Sequence, residues 1–305
     1  MNKEENNSTS PRAPFWKTFS ISVIASAFIG LFLLQMIRVE IHANLSRLDQ
    51  DEWKEFMKTH PYERRFNGDD ASRSPCPALN TLANHGLISR NGRNVTFDEL
   101  YTAVKLVGLG PVSSYMTLAY VYYTFHKNRP SDSVMYSLFK IADTINLDEL
   151  ANHNVLEHDV SLSRNDLYVE PHNVINPVPA RVALMTQFAT NGTFTAQNQY
   201  DYRKFRWLES LRDNPQLYYS TFLQLIAGTE CVVLQEVLGR GKGMPVDHLQ
   251  AFFLEERFPD DWYPPTRPLS GFDLAWKTLQ CVLSVRSSSA TLENTPQMAL
   301  VKEKQ

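Results

Sequence analysis

The run Arg73-Ser74-Pro75-Cys76-Pro77-Ala78-Leu79-Asn80-Thr81-Leu82-Ala83-Asn84-His85-Gly86 constrains this chain more than any other segment. Pro77 suits the first position of a helix, because the N–H it lacks would have had no partner there. Ala78 to His85 is long enough for about two turns. Gly86 can take the left-handed conformation that closes a helix. Cys76 then occupies the N-cap, facing unpaired backbone N–H groups and the positive end of the helix dipole. That setting favours thiolate over thiol, and the two flanking prolines restrict the backbone on either side of the sulfur. A lone cysteine is ordinarily an inert small hydrophobe. A fixed thiolate supported by N–H groups is instead suited to ligate haem iron.

A second cluster is Glu157-His158-Asp159-Val160-Ser161-Leu162-Ser163-Arg164-Asn165-Asp166. Glu157 and Ser161 are four residues apart, so on a helix their oxygens share a face. Carboxylate, hydroxyl and a freed carbonyl oxygen are hard ligands for a Mg²⁺-like ion. His158 leaves that face and is available as a separate group, with Asp166 as a partner that orients the imidazole. A third cluster is Gly228-Thr229-Glu230-Cys231-Val232-Val233-Leu234-Gln235-Glu236-Val237-Leu238-Gly239. Glu230 lies in an apolar helical stretch, where burial would raise its pKa towards the range of proton transfer. Glu236 competes for that role, but faces another direction on a helix.

These three segments together resemble the fungal haem-thiolate peroxidases, the chloroperoxidase and unspecific-peroxygenase family. Pro75-Cys76-Pro77 with Ala83-Asn84-His85-Gly86 is similar to its proximal motif, and Glu157-His158-Asp159 with Ser161 to its second. Glu230 followed by Leu238-Gly239, and then Phe252-Phe253-Leu254-Glu255-Glu256-Arg257-Phe258-Pro259, is similar to the distal helix and the segment after it. The resemblance covers about residues 60–265. It implies a mostly α, single-domain chloroperoxidase-like fold, with haem b held by Cys76 as axial ligand to the iron. It implies Glu230 as the distal acid–base, with His158 as its partner and Asp166 holding that histidine. Glu157, Ser161 and the His158 carbonyl would hold one Mg²⁺ or Mn²⁺ beside a haem propionate. The partners it implies are hydrogen peroxide and an organic substrate. Peroxygenation, one-electron peroxidation and halide oxidation all fit the same motifs. Among rival classes, a non-catalytic haem-binding membrane protein sits poorly with an intact Glu230 and His158. A metal hydrolase lacks a His-Glu-x-x-His helix.

Phe19 to Ile37 carries no charge over 19 residues, about the length that spans a bilayer. Trp16 and Lys17 on one side and Arg38 on the other suit its interfaces. The small-residue triplet Ala25-Ser26-Ala27 lies inside the apolar run, which favours an uncleaved anchor over a removed signal. Lys3, Arg12 and Lys17 balance Arg38, Arg47 and Lys54, so charge does not orient the span. Glycosylation sequons at Asn44, Asn94 and Asn191 lie after it, and others at Asn6 and Asn7 before it. The secreted habit of the resembled family points to a lumenal or extracellular domain, and an anchor suggests an apolar substrate. A net charge of −3 gives no case for nucleic acid. The cysteines besides Cys76 are Cys231 and Cys281; they could pair or stay reduced.

The expected organisation is a polar tail (1–14), the anchor (15–37), an amphipathic stem (38–60), the peroxidase-like domain (61–284) and a loose tail (285–305). Helical periodicity predicts helices over 96–107, 111–127, 144–151, 201–211, 218–238 and 249–257. Strand-like alternation is scarce.

Overall fold

A computed structural model describes residues 15–44, 48–68, 70–127 and 142–296. The predicted polar tail and the end of the C-terminal tail lie outside them. Among the described residues the architecture is mostly helical. The first helix, α1, runs from Phe15 to Asn44, and α2 from Gln50 to Met57. Helix α3 (Pro77–Asn84) carries the cysteine motif, and α4 (Phe97–Val107) and α5 (Pro111–Lys127) follow. Beyond them lie α6 (Pro179–Phe188), α7 (Ala196–Asp213) and α8 (Thr221–Val232). The last two are α9 (Val246–Gln250) and α10 (Gly271–Ser287).

Local chemistry explains most of these starts. Thr96 accepts from Glu99 N–H and Glu99 reaches back to Thr96, a capping box that opens α4. Asp49 and Glu52 do the same for α2. The helix predicted over 144–151 is a two-residue strand, Thr144–Ile145, followed by a 3₁₀ turn, Leu147–Ala151. That strand pairs antiparallel with Val95–Thr96, and Thr193–Phe194 pairs likewise with Met244–Pro245. Both ribbons are clips between helices rather than sheets.

The predicted stem divides differently. Helix α1 continues through Asn44, and α2 belongs to the domain core. Trp53 is 3% exposed and its ring lies 5.3 Å from those of Phe258 and Trp262. Burying an aromatic of that size stabilises by about 1.5–3 kcal/mol, so residues 50–57 are structural rather than a spacer.

Helices α8 and α10 form the tightest pair. A Cβ on Gly228 would stand 2.8 Å from a Val282 methyl and 2.9 Å from the Thr278 carbonyl oxygen, so only glycine permits this approach. Three residues on, a Cys231–Cys281 disulfide joins the two helices. It closes a separation of 50 residues, a cross-link of a kind that contributes about 2–4 kcal/mol. Helix α8 then widens into a π-helical turn over Val233–Leu238. Thr221–Leu238 is apolar enough to cross a bilayer by composition, but 44% of it is buried in the protein. It is a core helix, and it carries Glu230.

Candidate active site

Cys76 is the N-cap of α3, with Pro77 next and no side-chain cap bond. Gly86 closes the helix with φ +70°. The cysteine loop is clamped from below. Asn80 Oδ1 accepts from Ser74 N–H at 2.8 Å, and Asn80 Nδ2 donates to the Ser74 carbonyl and to Glu256 Oε1, each at 2.8 Å. Glu256 also accepts from Arg164 Nη2 at 3.0 Å. Arg164 and Glu256 are both buried, and removing one member of such a pair costs about 3–5 kcal/mol. His85, in the same motif, has a structural task. Its Nδ1 donates to the His60 carbonyl at 2.9 Å, and its Nε2 accepts from Phe258 N–H at 3.2 Å.

The sulfur itself is solvent-accessible. Desolvation pushes the Cys76 thiol up and the Leu79 and Ala78 N–H groups offset this only in part, so the net shift is upward; this corrects the sequence expectation that the N-cap setting by itself favours thiolate. The negative charge of Glu230 raises it further, and Arg164 lowers it. Cys76 and Glu230 are both exposed residues, and they lie near enough for the charge of Glu230 to act on the sulfur. Donors aimed at the sulfur, and no cap bond that consumes it, fit a thiolate ligand to haem iron.

Glu230, whose charge reaches the sulfur, is half-exposed at 51% of its side chain. Its Oε2 accepts from Arg203 Nη2 at 2.9 Å, and its Oε1 lies 3.7 Å from His158 Nε2. Glu236 instead pairs with Lys277 at 2.7 Å. Desolvation raises the Glu230 carboxyl. The charges of His158 and Arg203 and the hydrogen bond from Arg203 outweigh it, and the net shift is downward. This corrects the sequence expectation, in which burial alone raised it. The physical reason is that the Arg203 guanidinium and the His158 ring converge on one carboxylate.

The segment 157–166 is not helical, so the helical-face argument for Glu157 and Ser161 does not hold. Glu157 Oε2 meets His153 Nδ1 at 2.5 Å, and Ser161 offers its carbonyl to Arg206 Nε at 2.9 Å. Among the described residues no group of three or more His, Cys, Asp or Glu side chains converges as a metal cluster.

Asp166 also acts differently from the expectation. His158 Nδ1 donates to the Asp159 carbonyl at 2.5 Å, and that bond orients the imidazole. Asp166 Oδ1 accepts from Val160 N–H at 3.1 Å and from Arg206 Nη2 at 3.0 Å. It thereby fixes the loop rather than the ring. The loop needs fixing, because Val160 has φ +67°, a genuine outlier for a β-branched residue. Such strain costs about 1–3 kcal/mol and persists only where neighbours over-determine it. Arg203 Nη1 supplies the third restraint, bonding the Val160 carbonyl at 3.0 Å. His158 Nε2 is left buried without a hydrogen-bond partner, turned towards Glu230.

Arg203 is the functional residue that sequence reading missed. It lies in α7, far along the chain from each of the three motifs. Its only local signal is the Arg203/Arg206 pair three apart, both buried on one helix face. Replacing Arg203 with Leu removes the side-chain hydrogen bond and one of three charges, with His158 and Arg164, that depress Glu230. The acid limb of the peroxide-dependent pH profile is then expected to move to higher pH, measured as kcat/KM between acid and neutral pH. An unchanged acid limb would show that Arg203 does not set the ionisation of Glu230.

A mostly helical fold that sets a cysteine at a helix mouth against a carboxylate–imidazole pair defines a peroxidase-type site. The family profile "Peroxidase, family 2" matches residues 60–267, and the chain belongs to that family. It is 26% identical over 167 residues to an aromatic peroxidase of Fusarium equiseti, covering 50% of this chain and 38% of that one. It is 25% identical over 227 residues to an aromatic peroxygenase of Coprinellus radians, covering 67% and 82%. It is 37% identical over 107 residues to a chloroperoxidase of Leptoxyphium fumago, covering 32% and 25%. This chain thus spans well under half the length of the Fusarium relative, and most of the Coprinellus one.

Proposed function

We propose that this protein is a haem-thiolate enzyme that uses hydrogen peroxide to oxidise or oxygenate an organic, apolar substrate. The carrying observation is the Cys76 sulfur at the mouth of α3, within reach of the charge of Glu230. Haem b held by the Cys76 thiolate would supply O–O cleavage and oxidising power. The protein supplies the proton traffic. Arg203 holds Oε2 of Glu230, which leaves Oε1 to accept a proton from peroxide and return it to the departing oxygen as water. His158 keeps its Nδ1 proton on the Asp159 carbonyl. Its Nε2 can therefore share a further proton with Glu230 Oε1. A carboxylate held below its usual range is ionised across the neutral and mildly acid region, ready as a base. The decisive test is the absorption spectrum of the reduced, carbon monoxide-bound holoprotein. A red-shifted Soret band of thiolate ligation is expected, and a histidine-ligated spectrum would overturn the reading.

We further propose that Glu157, Ser161 and the His158 carbonyl, hard oxygen donors, would hold one Mg²⁺ or Mn²⁺. A cation there would displace His153 from Glu157, whose hydrogen bond raises the pKa of His153. Metal analysis of the holoprotein is expected to find about one such ion per haem. Full haem occupancy without a divalent ion would refute the site.

The chain is further proposed to be a single-pass membrane protein with a lumenal or extracellular catalytic domain. Its uncharged run lies inside the continuous helix α1, and those of its side chains that are described, such as Phe28, Leu31 and Leu34, are exposed. The Cys231–Cys281 disulfide suits an oxidising compartment. Asn94 and Asn191 are exposed in turns, accessible to glycosylation.

A further inference from the structure

Helix α10 leaves an apolar stripe uncovered. Phe272, Trp276, Leu279 and Leu283 are 79%, 54%, 44% and 53% exposed, at helical spacings that place them on one face. The opposite face holds Cys281, Val282 and Val285 against the core. Tyr115 and Met116, 59% and 62% exposed, lie on α5, the helix that packs beside α10. The two helices begin together. Gly110 N–H donates to the Leu269 carbonyl at 2.8 Å, and a Cβ on Gly271 would touch Val112. Scattered exposed hydrophobics are normal, but a contiguous patch of this kind marks an interaction surface.

What covers it is indicated by α1. That helix seats on the first turn of α5, where Glu40 Oε1 accepts from Val112 N–H at 3.2 Å. The uncharged run ends at Ile37, one helical turn earlier. A bilayer entered by α1 therefore has its surface beside the starts of α5 and α10. The stripe mixes Trp, Tyr and Phe with Leu and Met, the composition of a surface that settles into the headgroup–acyl boundary.

We propose that the outer face of α10 with the start of α5 docks on the bilayer that α1 enters, so that the catalytic domain lies against the membrane rather than hanging from a tether. Phe222 and Leu225, also exposed, lie on the helix that bears Glu230, with the Phe222 ring 5.9 Å from that of Tyr120 in α5. A substrate dissolved in the bilayer would then reach the site without crossing water. The inference rests on the anchor reading of α1, and the test separates the two.

Nitroxide spin labels are placed one at a time at Leu31→Cys, Leu279→Cys and Asp260→Cys in the full-length holoprotein, reconstituted in phosphatidylcholine vesicles. The parent protein, labelled identically, supplies the background from Cys76. Labels at 31 and 279 are expected to lose collisions with a water-soluble nickel chelate and gain them with oxygen, relative to the label at 260. A lipid-like label at 31 with a water-like label at 279 overturns the docking face and leaves the anchor standing. A water-like label at 31 overturns the anchor and the inference with it. A label at 279 shielded from both reagents in lipid-free detergent, with a doubled particle mass, assigns the face to a second copy of the chain and likewise overturns it.

Discussion

Glu230→Gln is expected to lower peroxide-driven turnover by about 10²–10⁴-fold, the usual contribution of a general acid–base group. The substitution keeps size and shape, and its amide oxygen can still accept from Arg203 Nη2, which holds Glu230 Oε2 at 2.9 Å. It removes the proton acceptor at Oε1, the oxygen turned towards His158 Nε2. Haem content and the thiolate spectrum are expected to stay as in the parent, because Glu230 and Cys76 sit on separate helices and touch through charge alone. Stopped-flow measurement of peroxide consumption, run beside the spectrum, reads both quantities on one sample. A variant that consumes peroxide at the parental rate would remove Glu230 from the mechanism. The ion pair of Glu236 with Lys277 makes that residue a poor substitute.

Cys76→Ala is expected to have a different and larger consequence: loss of thiolate-ligated haem itself. The fold should survive, since the Asn80–Ser74–Glu256–Arg164 clamp that shapes the loop does not use the sulfur. Far-ultraviolet circular dichroism should therefore match the parent, while the red-shifted carbon monoxide band disappears. The pair of variants separates roles, with Cys76 governing what the iron is and Glu230 governing how fast peroxide is used. A Cys76→Ala protein with parental haem content and spectrum would show that another residue ligates the iron.

Much of this site was legible in the sequence because its signals are local. Proline at N1, the N-cap cysteine and glycine at φ +70° are consequences of helix-end geometry within one short run. The capping box at Thr96 and the helical periodicity of α5 and α8 were readable for the same reason. Helices α6 and α10 were not read from the pattern. Helix α10 is apolar on its exposed face as well as its buried one, so the polar-out contrast that marks a surface helix is missing.

Three matters were decided by tertiary structure alone. The state of Cys231 and Cys281 was open until α8 and α10 were brought into contact across Gly228. The direction in which Glu230 titrates was misjudged from sequence, because burial is written in the local apolar run, whereas the opposing charges of Arg203 and His158 arrive from elsewhere in the chain. The role expected of Asp166 falls to a backbone carbonyl: that of Asp159 orients His158, and Asp166 holds the strained turn at Val160. Sequence spacing assumed a helix there, and the segment is a loop. Helix ends and apolar faces are set by near neighbours, and the sequence states them directly. Hydrogen bonds and charges that act through space depend on which distant segments meet, and only the folded chain brings them together.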